Sequence, residues 1–337
     1  MKIAVVGLGY WGPQLVRNLT HLEQCSQLVA CDLDETRVKT ICQQYPGVIG
    51  ATSYTELLAD PSLQGVILAT PVRTHYPMAK QALDAGVSVL VEKPLATSYD
   101  DANSLIETAE ERGLLVMAGH TFLHSPPVQA VERLIADGEV GKPLYAQSSR
   151  VNLGIHQSDV SVIWDLAPHD LSILVYWLKE TPVAVSAMGK SVHGVGPADV
   201  AFVDLQFPSG CIANVHLSWL APTKMRRTTL VGDRRMLVYE DTNVEEPVKL
   251  YDKGVNLPAP EDFGQYKTSY RAGDVISPRV GNWEPLRAEL GEFLGRVSRG
   301  ETPNGREATA LSVVATIEAA ERSLQENGRA IEVRQDL

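Results

Sequence analysis

Within its first twelve residues the chain runs from a short β-branched segment, KIAVV at 2–6, straight into glycines at 7, 9 and 12 and then into helix-like spacing. This context constrains the fold more than any other feature, because a strand, a glycine turn and a helix in that order form the dinucleotide-binding fingerprint. Gly7 permits the tight turn, Gly9 lets backbone N–H groups approach a pyrophosphate, and Gly12 lets helix and strand pack closely. Leu8, Tyr10 and Trp11 complete the loop and are expected at the cofactor, and the helix N-terminus favours the anion. Asp32 closes the second apolar run, twenty residues beyond Gly12. There it can accept hydrogen bonds from the adenosine ribose hydroxyls, which selects NAD over NADP; Leu33 stands where an arginine would meet a 2′-phosphate. The competing reading makes Asp32 a turn or cap residue like Asp34.

From Met1 to about His120, apolar runs (LVACD, GVILAT, VSVLVE, LLVMAG) alternate with amphipathic segments at 12–20, 34–45, 74–84 and 98–112. That grammar predicts βαβ units on a parallel sheet buried on both faces. After Pro126 and Pro127 it changes. A helix is expected over 128–137, then strands near 143–152, 182–189, 199–207, 211–219, 226–232 and 235–239, joined by hairpin-like turns and interrupted by one helix at about 165–178. Residues 241–284 show no sustained period and read as a long excursion, and helices follow at about 285–299 and 305–325. The expected organisation is an α/β Rossmann domain over 1–122, then an α+β domain over 123–337 with a large, mainly antiparallel open sheet for substrate binding and oligomerisation.

Thirty Lys and Arg against 41 Asp and Glu give a net charge of −11, which argues against a nucleic-acid or anionic-membrane surface. The four cysteines, Cys25, Cys31, Cys42 and Cys211, contain no metal-ligand spacing, so neither a metal site nor a disulfide framework is expected. No signal-like or spanning apolar segment is evident, and the expected location is cytoplasmic.

At Glu92-Lys93-Pro94, directly after VSVLV, the chain resembles the glucose–fructose oxidoreductase, inositol dehydrogenase and MocA (Gfo/Idh/MocA) family. Further matches are GLGYWG at 7–12, ACD at 30–32, ATPVRTHYPMA at 69–79, AGHTF at 118–122 and WDLAPHD at 164–170. The resemblance implies that Lys93 contacts both the nicotinamide ribose and the reacting hydroxyl, and that Pro94 packs at the nicotinamide. It also implies that Thr70, Pro71, His75 and Glu92 line the cofactor side, that Asp165 and His169 approach the substrate from the second domain, and that the second sheet builds a homodimer or homotetramer.

The chemistry asks for such groups in its own right. Oxidising a secondary alcohol needs a base for the hydroxyl proton while hydride leaves carbon, and a nearby cation helps the developing alkoxide. Asp165 and His169 share a face if a helix starts near Trp164, with Pro168 then confined to the first turn. On that ground Asp165 could equally be the N-cap, His169 a structural histidine, and Lys93 a surface lysine. Tyr145, Arg150, Asn152, Leu153 and Gly154 form a run that resembles the nucleotide-sugar branch, which implies oxidation at C3 of a UDP-N-acetylglucosaminuronate-like substrate in polysaccharide synthesis. Arg150 and Asn152 are its candidate substrate ligands, with Arg226 and Arg227 in a second rank for phosphate. A free cyclitol or monosaccharide is the alternative substrate, and a non-catalytic NAD-binding regulator the alternative class.

Overall fold

The computed structural model describes residues 1–154, 160–192, 194, 196–256, 269–303 and 307–335. It contains two compact units: Met1–His124 with Trp283–Glu318, and Ser125–Asn282 with Ala319–Gln335.

The first unit carries strands β1 (Lys2–Val6), β2 (Gln27–Cys31), β3 (Ile49–Ala51), β4 (Leu63–Leu68), β5 (Ser88–Glu92) and β6 (Val116–Gly119). They pair in parallel in the order β3-β2-β1-β4-β5-β6, the doubly wound arrangement whose switch point lies between β1 and β4. Helices α1 (Gly12–Leu19), α2 (Glu35–Gln44), α3 (Tyr54–Leu58), α4 (His75–Asp84) and α5 (Tyr99–Arg112) join them. Local chemistry sets their ends: Asp34, Ser53 and Ser98 accept backbone N–H groups as N-caps, and Gly113 closes α5 with φ 66°. The sequence did not disclose β3 and α3, which at three and five residues are too short to show a period.

The second unit opens with α6 (Pro126–Ala136), β7 (Pro143–Leu153) and α7 (Val162–Leu178). Strands β8 (Ala184–Lys190), β9 (Val200–Gln206), β10 (Ile212–Ser218), β11 (Leu220–Gly232), β12 (Met236–Glu240), β13 (Val248–Asn256) and β14 (Ser269–Ile276) follow. The nine-stranded sheet runs β14-β13-β12-β11-β7-β10-β9-β8-β15, where β15 is Ile331–Glu332, and among its pairs only β7 with β10 is parallel. The mainly antiparallel open sheet expected for this half is therefore present.

Two expectations need correction here. The excursion at 241–284 contains β13 and β14, antiparallel partners set in a stretch whose Pro, Gly and Asp residues mask a period. Strand β11 begins at Leu220 rather than 226, continuing through Pro222 beside a register shift against β7.

The helices α8 (Pro285–Ser298) and α9 (Glu307–Gln325) close the chain, and the expected start of the latter at 305 lies outside the described residues. Expected to stay with the second domain, residues 283–318 belong to the first unit. The cause is apolar burial: Leu286, Leu290, Phe293 and Leu294 of α8 join Ile3, Leu15, Leu19 and Ile67 in one core cluster. From Ala319 onward α9 belongs to the second unit. Among the described residues no helix is long and apolar enough to cross a membrane, and no group of three His, Cys, Asp or Glu is placed to hold a metal.

Candidate functional site

In the first unit, the glycine loop sits at the topological switch point. Gly7 has φ 95°, and a Cβ there would stand 2.5 Å from the Ala69 carbonyl oxygen; one on Gly12 would stand 2.1 Å from that of Gly7. Both positions therefore require glycine. At Gly9 a Cβ would meet only the Arg37 guanidinium, at 3.9 Å, so this is the open side of the loop, where a diphosphate has room to approach backbone N–H groups. Tyr10 is almost fully exposed beside it, and Trp11 is half-buried against the core.

Asp32 holds this loop. Its Oδ2 accepts the Leu8 N–H at 2.6 Å and its Oδ1 the Asp34 N–H at 2.9 Å. Asp34, not Asp32, caps α2. Arg37, which sequence reading missed, stands 3.6 Å from Asp32, one helical turn beyond Asp34. An open Gly9, a fixed carboxylate at the end of β2 and two glycines that tolerate no side chain are what a bound NAD requires of this chain.

The Thr70-Pro71 and Glu92-Lys93-Pro94 segments are tied together by His75 at the start of α4. Its Nδ1 lies 2.8 Å from the Pro94 carbonyl oxygen and its Nε2 2.9 Å from that of Thr70. Burial pushes the His75 pKa down, against those two carbonyls. The Lys93–Pro94 peptide is cis. Glu92, at the end of β5, is half-buried with its Oε1 enclosed, and burial of the carboxyl pushes it up to about 7 against the pull of Lys93 and the Trp11 indole.

In the second unit, α7 starts at Val162 with Ser161 as its N-cap. Asp165 is thus released from the capping role and instead accepts the Trp219 indole N–H at 3.0 Å. Trp219 is buried, and Gly154 is packed so close that a Cβ there would stand 3.0 Å from the indole. Asn152 adjoins the same glycine. His169 follows Asp165 by four residues on the same helix, so the two share a face. Pro168 is an interior helix residue, not a first-turn one, because the earlier cap shifts the whole first turn. Trp219 was missed in the sequence, since a tryptophan at the end of an alternating strand carries no signal of its partner.

Arg150 lies on the inner face of the sheet. It is 3% exposed, and its Nε and Nη2 donate to Asp170 at 2.5 and 3.4 Å; Asp170 also accepts from Ser148 at 2.7 Å. Burial pulls the guanidinium pKa down, but the charge and hydrogen bonds of Asp170 outweigh it and leave it raised. Through that pairing Arg150 ties α7 to the sheet. Period-two alternation in β7, with Ala146, Ser148 and Arg150 all buried, already placed it on the inner face. Of the two second-rank arginines, Arg226 pairs with Asp241 at 3.0 Å and Arg227 is exposed.

Comparison with known proteins agrees with this geometry. Residues 1–120 match the oxidoreductase family with NAD-binding Rossmann fold, GFO/IDH/MocA, and residues 128–238 match the GFO/IDH/MocA C-terminal domain. A 2,7-anhydro-N-acetylneuraminate hydratase of Mediterraneibacter gnavus is 30% identical over 60% of this chain and 58% of its own length, so the match spans less than two thirds of that relative. The scyllo-inositol 2-dehydrogenase (NAD(+)) of Bacillus subtilis is 28% identical over 66% of this chain and 68% of its own. UDP-N-acetylglucosamine 3-dehydrogenase of Acidithiobacillus ferrooxidans is 27% identical over 75% and 78%. Among solved structures, a protein of gentamicin A biosynthesis in complex with NAD superposes with a TM-score of 0.82 at 24% identity, covering 99% of this chain and 97% of its own, a likeness of fold.

Proposed function

The chain belongs to the Gfo/Idh/MocA family of NAD-dependent oxidoreductases, and from that premise we propose that it oxidises a secondary ring hydroxyl of a sugar or cyclitol. The observation that carries this reading is the arrangement on α7, where Ser161 takes the cap and leaves Asp165 to the Trp219 indole, with His169 one turn further on. Bound NAD supplies the hydride acceptor. His169 takes the hydroxyl proton, Asp165 orients it, and Lys93, next to the Pro94 carbonyl that His75 holds, places a cation at the oxygen where negative charge develops. The Asp32 carboxylate and the glycine loop hold the adenosine and diphosphate portions. The exposed Tyr145, Phe202 and Ile212 on β7, β9 and β10 support self-association of the protein.

A second reading, oxidation at C3 of a nucleotide sugar, is favoured by the mutual coverage with UDP-N-acetylglucosamine 3-dehydrogenase and by the RVNLG run at 150–154. A diphosphate needs local cations, and Arg150 is already paired, so a neutral ring is the better-supported substrate. The test incubates the full chain and NAD with myo-inositol, scyllo-inositol, glucose, UDP-N-acetylglucosamine and its uronate. NADH formation is followed, and UDP alone is titrated by calorimetry. Turnover of a free ring with no heat from UDP is expected. UDP binding with turnover of only the uridine sugars would establish the second reading, and turnover of none would return the chain to NAD binding without this chemistry.

A further inference from the structure

Behind Lys93, wholly within the first unit, lies a set of buried polar side chains that the reaction above does not use. Glu92 ends β5, His120 follows its neighbour Gly119 at the end of β6, and Glu289 enters from α8. Glu289 is fully buried, and its Oε2 accepts the Thr121 hydroxyl at 2.8 Å. Among the described residues, Glu92 Oε1, Glu289 Oε1, both ring nitrogens of His120 and the Trp11 indole Nε1 beside Glu92 have no hydrogen-bond partner. Five orphaned polar atoms on neighbouring elements are unusual, because nearly all buried polar groups are satisfied by protein or ordered water.

The set has a donor–acceptor balance. Burial lowers His120 to about 4, so its imidazole is neutral and offers one donor and one acceptor. With both carboxyls ionised, three acceptors would face the two donors of His120 and Trp11, and two negative charges would share an enclosed setting. If Glu289 keeps its proton, the second enclosed negative charge is gone and three donors face two acceptors, a set that bridging water satisfies. Burial and the neighbouring Glu92 charge both push Glu289 well above the ordinary carboxyl range. The remaining charged groups nearby are Lys93 on the Glu92 side and His124, which pairs with Glu292 at 3.6 Å.

We propose that Glu92, Glu289 and His120 enclose bridging water as a buried proton-exchange site, in which Glu289 stays the neutral acid and only Glu92 gains and loses a proton beside Lys93. Glu92 is then a positioning residue: its carboxylate, once formed, steadies the lysine assigned to the reacting hydroxyl, and in that respect the inference rests on the function proposed above. Protonation of Glu92 removes that partner and gives turnover an acid limb near neutrality.

Infrared titration of the full chain reads the site without turnover, so an unidentified substrate leaves it testable. Two carboxylic-acid C=O bands are expected, one lost with a midpoint near 7 and one still present above that midpoint. Glu92→Gln should remove the first and Glu289→Gln the second. If Glu289 is neutral, Glu289→Gln leaves the Glu92 midpoint in place; a fall of about one unit or more, tenfold in the dissociation constant, would overturn the proposal. So would loss of both bands at an ordinary carboxyl midpoint of about 4.3. Should Glu92→Gln fail to fold, wild type and Glu289→Gln decide the matter alone. With a substrate in hand, the acid limb of kcat/KM should move with the Glu92 midpoint, which a merely structural glutamate would not produce.

Discussion

Asp32 has both oxygens engaged by backbone N–H groups, so its negative charge is fixed in place and the loop conformation depends on it. A 2′-phosphate brought to about 4 Å of that carboxylate meets repulsion of up to roughly 4 kcal/mol at an effective dielectric near 20, reduced by Arg37 close by. Asp32→Asn keeps an acceptor for Leu8 and loses the charge, whereas Asp32→Ala loses both. The asparagine variant should therefore narrow the gap between NADH and NADPH dissociation constants while holding NADH nearly as well, and the alanine variant should weaken both. Equal constants in the wild type would remove the argument. Lys93→Met and His169→Asn should each lower kcat by about 10²–10⁴, the range for positioned acid–base groups, with little change in NADH affinity. Turnover close to wild type in either would return that residue to a structural role. Asp32 and the glycines were legible because backbone geometry dictates their identity. Arg37 was not, since its place beside Gly9 depends on how α2 lies against the loop.

Helix α7 brings the second unit's candidate residues together, and its attachment is ionic as well as apolar. Asp170, next to His169, is gripped by Arg150 from β7 and by Ser148, which in turn meets Thr228 of β11 at 2.9 Å. Removing one partner of a buried pair leaves an uncompensated charge, and the cost is typically about 3–5 kcal/mol. Arg150→Met should accordingly destabilise the protein by that order in chemical denaturation. Arg150→Met with Asp170→Leu should recover much of the loss. If Arg150 were instead a substrate ligand, the single variant would raise KM at near-normal stability. The helix itself was legible from its apolar spacing, but not its start: Ser161 caps four residues before the anticipated Asp165, and nothing local decides between two good cap residues. Strands β13 and β14 went unseen because their pairing is with each other and with β12, information that no single segment contains.

On the scale of the whole molecule, the least legible event is the return of residues 283–318 to the first unit, where α1 meets residues more than 260 positions later, through Asn18 and Glu284 at 2.8 Å. That return delivers Glu289 to a place already holding Glu92 and His120, and the resulting titrations act oppositely on stability. For His120, folded near 4 and about 6.5 unfolded, the unfolded chain binds the extra proton, so stability is complete above about 6.5 and lost as pH falls toward 4. For Glu92, folded near 7 against 4.5, the folded protein binds the extra proton, so stability is complete below about 4.5 and lost as pH rises toward 7. Each shift corresponds to about 3 kcal/mol across its window. Between about 4.5 and 6.5 the two slopes cancel in the wild type. His120→Gln removes the rising slope, so its stability relative to wild type should fall as pH increases through that interval. Glu92→Gln removes the falling slope and should show the reverse. Urea unfolding at several pH values across the window measures both differences, and parallel curves for the three proteins would mean that neither group titrates in the folded state as its burial requires.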